Sequence, residues 1–129
     1  MGHPLIDRLT EEMGWPHLTE ATALSNWTAR EGVHVAFCPG DPKRNLETAD
    51  VAVILPELRL AFQGRFDCAV VAGEAEARAK DDGQAHKTPS LIFYRDGRCL
   101  GAIPKVRDWD DYMARTAHFL NQPAAEEAI

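Results

Sequence analysis

Four short apolar runs dominate the chain: Val33 to Cys38, Phe66 to Ala72, Ser90 to Tyr94 and Arg98 to Ile103. Each has the length of a strand, and the stretches between them carry helical spacing or turn residues. Phe66 to Ala72 is apolar almost throughout after Asp67, as a strand covered on both faces must be. In the first run Val33, Val35 and Phe37 alternate onto one side. The last two runs are joined by Asp96-Gly97, the strongest short hairpin signal. Strands alternating with helices give a parallel sheet, and the terminal hairpin adds antiparallel edge strands. The expected fold is an α/β/α sandwich with a mixed central sheet.

The intervening segments fit this plan. Pro4 to Met13 reads as a short helix with Leu5, Leu9 and Met13 on one face and Gly14 as its stop. Trp15 to Leu18 fits a short strand. Thr19 is placed to cap a helix over Glu20 to Glu31 that turns Leu24 and Trp27 inward. Pro39 to Asn45 is loop, because two prolines, a glycine and three charges sustain neither a ladder nor a helix interior. Asp50 to Gln63 reads as a helix interrupted by Pro56. A strand over Val51 to Leu55, followed by a helix opening at Pro56, fits the same residues. Glu74 to Asp82 forms a short charged helix. Asp108 caps a last helix to Leu120, with Trp109 near its start and Tyr112, Ala117 and Leu120 inward. Residues 1–121 then make one domain that opens with a helical extension, and 122–129 form a flexible tail after the helix-stopping Pro123.

A chain of 129 residues can bury a core without a metal or disulfide staple. The formal charge of −6 argues against nucleic acid binding, which rests on phosphate neutralisation. No window reaches the ~20 apolar residues of a membrane span, and no leader pattern opens the chain. The expectation is a cytoplasmic protein without membrane insertion. Cys38, Cys68 and Cys99 lie at least 30 positions apart, too scattered for a disulfide framework. His3, His17, His34, His86 and His118 show no metal-ligand spacing. No phosphate loop and no nucleophile–base–acid set is present. No catalytic residue, metal site or cofactor is therefore expected.

Thr88-Pro89-Ser90-Leu91-Ile92-Phe93, then Asp96-Gly97, Gly101 and a helix, resembles the C-terminal half of the thioredoxin fold. Val33 to Phe37 and the Pro56 helix resemble its first half. The likeness covers Trp15 to Leu120, and it implies a cis peptide bond at Pro89. Thioredoxin chemistry needs Cys-x-x-Cys at the helix start after the Val33 strand, one thiolate attacking and the other resolving. Here that region reads Pro39-Gly40-Asp41-Pro42-Lys43-Arg44, and the buried acid of the preceding strand is replaced by Ala36.

A narrower resemblance is to the hydrogenase-expression proteins of the HyaE/HupG family, which are thioredoxin-like and lack the redox pair. Gly14-Trp15, Trp27, Asp41-Pro42-Lys43-Arg44, Ile54-Leu55-Pro56-Glu57-Leu58, Phe62, Pro89, Gly101-Ala102-Ile103 and Trp109 carry it. It implies a chaperone in [NiFe] uptake hydrogenase maturation. Such a chaperone would bind the small-subunit precursor, with its twin-arginine signal, before export, alongside other hydrogenase maturation proteins.

On that reading Asp41, Pro42, Lys43 and Arg44 form one wall of a peptide groove, and Thr88 and Pro89 the other. An extended peptide would pair with backbone beside Pro89. The bland alternative is a turn at Asp41-Pro42 with solvated charges. Lys43 and Arg44 repel a twin-arginine segment, so its guanidiniums would meet carboxylates: Glu47, Glu57, Asp108, Asp110 or Asp111. The three aspartates equally suit the start of a helix. Glu74 and Glu76 read as a solvated helix start, and Trp15, Trp27 and Trp109 as core. The competing function is a single-cysteine thiol enzyme or redox sensor acting through Cys38. Its own bland alternative is a small buried hydrophobe at a strand end.

Overall fold

The computed structural model describes residues 3–41 and 43–122. Pro42, assigned to the candidate loop, and the tail from Pro123 lie outside the described residues.

Five strands form one sheet in the order β1-β3-β2-β4-β5. They are β1 (His17–Leu18), β2 (Val33–Cys38), β3 (Phe66–Val71), β4 (Ser90–Arg95) and β5 (Arg98–Pro104). β1 and β2 run parallel to β3, whereas β4 runs antiparallel to β2 and β5. The mixed sheet is as expected, with one correction. Only β5 of the hairpin is an edge, because β4 pairs on both sides. Asp96 and Gly97 both take positive φ, as a two-residue hairpin turn requires.

Alternation along the strands sorts the side chains onto two faces. Val33, Val35, Phe37, Cys68, Val70, Leu91 and Phe93 point to one apolar cluster. Ala36, Cys38, Ala69, Val71, Ile92 and Tyr94 point to the other. The first cluster is closed by α1 (Pro4–Asp7), α3 (Glu47–Ala61) and α5 (Trp109–Leu120), the second by α2 (Ala21–Thr28) and α4 (Gly73–Gly83).

The helical reading of the Pro56 segment is the observed one, and no strand forms over Val51 to Leu55. Pro56 is buried inside α3 and leaves the Ala52 carbonyl without its usual helical donor. Three expectations need correction. The first helix continues as a π-helical turn over Arg8–Glu12, closed by Met13 N–H to the Arg8 carbonyl at 3.1 Å. The extra residue per turn shifts the phase, so Leu9 stays buried while Met13 swings out to 41% exposure. α2 is preceded by Glu20, not Thr19, at its cap, and the Thr19 carbonyl instead accepts from Ala75 N–H at 3.1 Å. In α5 the inward stripe is Tyr112, Thr116, Phe119 and Leu120, while Ala117 is only half-buried. Asp108 does stand at the N-cap of α5, although its side chain makes no capping bond.

Gly101 sits where β5 passes under α5. Its φ of +153° is a region that L side chains rarely adopt, and a Cβ there would lie 2.5 Å from the Phe119 ring. Gly101→Ala is therefore expected to lower stability by about 2 kcal/mol or more, combining overpacking with backbone strain. The shift in urea midpoint checks this.

Candidate functional site

Both walls of the expected groove meet at the C-terminal end of β2. The Thr88-Pro89 peptide is cis. The loop from Pro39 is tied down on three sides. Gly40 N–H donates to Glu76 Oε2 at 2.7 Å. Asn45 Nδ2 donates to Thr88 Oγ1 at 2.9 Å, and Thr48 Oγ1 donates to the Pro39 carbonyl at 2.7 Å. Asp41 turns the chain locally: its carboxylate accepts from Lys43 N–H at 3.0 Å and its carbonyl from Arg44 and Asn45 N–H. A Cβ on Gly40 would fall on the Thr88 hydroxyl, so glycine is required for this close approach. Glu76 thus belongs to the loop's support, correcting its reading as a solvated acid.

A cleft of about 250 Å³ opens between loop and turn, lined by Arg44, Asn45, Leu46, Glu47, Thr88, Pro89 and Lys105. Of the expected residues, Arg44, Glu47, Thr88 and Pro89 come together here. Asp41 and Lys43 stand exposed on the adjoining loop. Glu57 does not join them, because it lies ten residues beyond Glu47 on α3, about 15 Å along the axis. Asp108 and Asp110 are exposed at the start of α5 outside the cleft lining, and Asp111 is paired with Arg115 at 2.9 Å.

Asn45, Leu46 and Lys105 are cleft residues that sequence reasoning missed. The hairpin turn gave a signal for Lys105, since counting strand pairs back from Asp96-Gly97 brings this region beside Pro89. A one-residue irregularity at Phe93/Tyr94 then pairs Ser90 with Pro104 and puts Lys105 opposite Pro89. Lys105 N–H donates to the Pro89 carbonyl at 2.6 Å. That carbonyl is therefore taken, and Thr88 is the residue beside Pro89 with no backbone–backbone bond among the described residues.

Cys38 sits beneath this loop but is fully buried. Desolvation, reinforced by the Glu76 charge, pushes its thiol up to about 12. A catalytic thiol needs the opposite, exposure and a depressed value. Burial pushes the Cys68 and Cys99 thiols up as well.

The tryptophans separate. Trp27 is buried against His34, with ring centroids 4.8 Å apart. Trp15 is half-buried and lines a second cleft with Gly14, Trp27, Arg30 and Arg59. Trp109 is 44% exposed, contrary to its reading as core.

The family model described as "Hydrogenase-1 expression protein HyaE" matches residues 5–112. The chain belongs to the HyaE family. It is similar to the hydrogenase expression/formation protein HupG of Rhodobacter capsulatus, 57% identical over 118 residues, covering 92% of this chain and 86% of that one. A crystal structure described as hydrogenase expression/formation protein hupG from Rhodopseudomonas palustris matches with 38% identity and TM-score 0.56, covering 84% of this chain and 100% of that one. Mitochondrial thioredoxin 3 of Saccharomyces cerevisiae matches with TM-score 0.61 at 13% identity, over 85% of this chain and 97% of that one, which shows the thioredoxin-like fold. Among the described residues no helix is long and apolar enough to cross a membrane.

Two measurements follow from the burial of Cys38. Alkylation of the native protein should show no thiolate-driven rise as pH approaches the ordinary thiol value of 9.0, whereas the urea-unfolded chain reacts. The folded state keeps a proton that the unfolded chain releases above 9.0. The stabilising effect is therefore complete below that value and declines as pH climbs toward about 12.

Proposed function

We propose that this HyaE-family chain is a cytoplasmic, non-enzymatic chaperone. Its partner would be the precursor of the hydrogenase small subunit, bound with its twin-arginine segment before export. Other hydrogenase maturation proteins would act alongside it. One observation carries the reading: the cleft between the loop and Pro89 persists, while the nearby thiol is sealed beneath it and held protonated. The thioredoxin-like scaffold then serves peptide capture without disulfide exchange. The names of the relatives supply the hydrogenase context. The thiol-enzyme alternative needs a reactivity that Cys38 lacks.

Charge divides the labour within such a complex. Arg44 and Lys105 line the cleft, with Lys43 on the adjoining loop, and all three repel guanidinium groups, so the cleft takes the backbone and the apolar or acidic side chains of a bound segment. The arginines would be met by Glu47 at the cleft margin and by the acids that open α5.

Calorimetry with the host's small-subunit precursor, with and without its twin-arginine segment and at two salt concentrations, tests this. Affinity should fall when the segment is removed and fall again with salt. The triple variant Asp41→Ala, Lys43→Ala, Arg44→Ala should bind about tenfold more weakly with an unchanged melting temperature. Equal affinity in that variant removes the loop from the site. Failure of both precursor forms to bind overturns the chaperone reading.

A further inference from the structure

The outer face of α3 carries a feature that runs well past the cleft. Leu46, Val53 and Leu60 are seven residues apart and 82%, 46% and 69% exposed. Asp50 and Glu57, also exposed, fall between them. At about 100° per residue, all five lie within an arc of about 80°, spaced four-three-four-three along about 21 Å of helix. That is the spacing of a coiled-coil seam in which one core position of each heptad is apolar and the other carries a carboxylate. α1 and the sheet cover other faces of α3, where Val51, Ala52, Leu55 and Leu58 are buried. A ridge of large aliphatic side chains left in water is costly unless something covers it.

We propose that this ridge docks a helix of another protein with aliphatic residues at one seam position and Arg or Lys at the facing one. The carboxylates decide the occupant. In a second copy of this chain, Asp50 and Glu57 would lie unpaired within an apolar seam, which disfavours self-association. An anionic membrane surface would be repelled by the same groups and by the overall charge of −6. A basic amphipathic helix covers the leucines and pairs both acids in one geometry. The ridge begins at Leu46, which also lines the cleft, so a partner could engage both surfaces without a break. The inference goes beyond the precursor-binding reading and does not require it.

The probe is a synthetic peptide of three heptads with Leu at one seam position and Arg at the other, titrated at two salt concentrations with amide shifts followed by NMR. Shifts should concentrate on Leu46 to Ala61. Asp50→Lys/Glu57→Lys should weaken binding about tenfold or more, and a peptide with Glu in place of Arg should restore it. Glu74→Lys/Asp81→Lys, on α4 across the sheet, alters net charge equally and should change nothing. Val53→Ser/Leu60→Ser, at exposed positions, should weaken binding without changing charge. Equal loss in the two lysine variants, shifts centred on Asn45, Thr88 and Lys105, or no binding at all overturns the proposal. The triple alanine variant of the loop should bind this peptide normally, which separates failure of the ridge from failure of the cleft.

Discussion

Everything else in the molecule is arranged around β2. All six of its residues are buried, and it bonds to a parallel neighbour on one side and an antiparallel one on the other. A strand so enclosed has its backbone satisfied in place and its side chains committed to two cores. The chain can leave it in only one way, through the loop that starts at Pro39. Because β4 lies alongside in the opposite sense, Ser90 pairs with Cys38, and the Thr88-Pro89 turn arrives beside that loop. The cleft is thus a consequence of strand pairing before any of its side chains contributes.

Thioredoxin chemistry needs a reactive cysteine pair at this corner. Here the same corner is built to hold still. A buried thiol in an apolar setting stays neutral, and the loop above it is fixed by one carboxylate and two side-chain hydrogen bonds. Such a corner offers shape, two backbone groups at Thr88 and the charges of Arg44, Lys105 and Glu47, which suits reversible binding. The aliphatic and acidic ridge on α3 extends the surface available to a partner well past the corner.

Much of the fold was legible because it rests on local signals: alternation in β2, the apolar run of β3, the Asp96-Gly97 turn and the stop at Gly14. Where sequence reading failed, a non-local bond or a change of phase intervened. Met13 was lost to a single extra residue in a helical turn. Thr19 stands one residue before the cap position of α2, where its carbonyl serves α4. Glu76 looked like any acid at a helix start, and only the folded chain brings Gly40 to it across 36 positions. Glu57 and Asp108 were grouped with the site on charge alone; ten residues of α3 separate Glu57 from Glu47, and Asp108 stands at the start of α5 outside the cleft lining. The outward aliphatic row of α3 is visible in the spacing of Leu46, Val53 and Leu60, yet periodicity cannot say which apolar stripe of a helix faces the core.

The margins of the sheet have a consequence for life among unfolded chains. β1 is only two residues long and follows Pro16, which has no amide proton to offer. β5 begins at Arg98, ends at Pro104 and lies opposite an irregularity in the ladder. Short edges, prolines and broken register all discourage strand-to-strand recruitment. An extended chain that meets this sheet finds blunt borders, which do not seed a growing sheet.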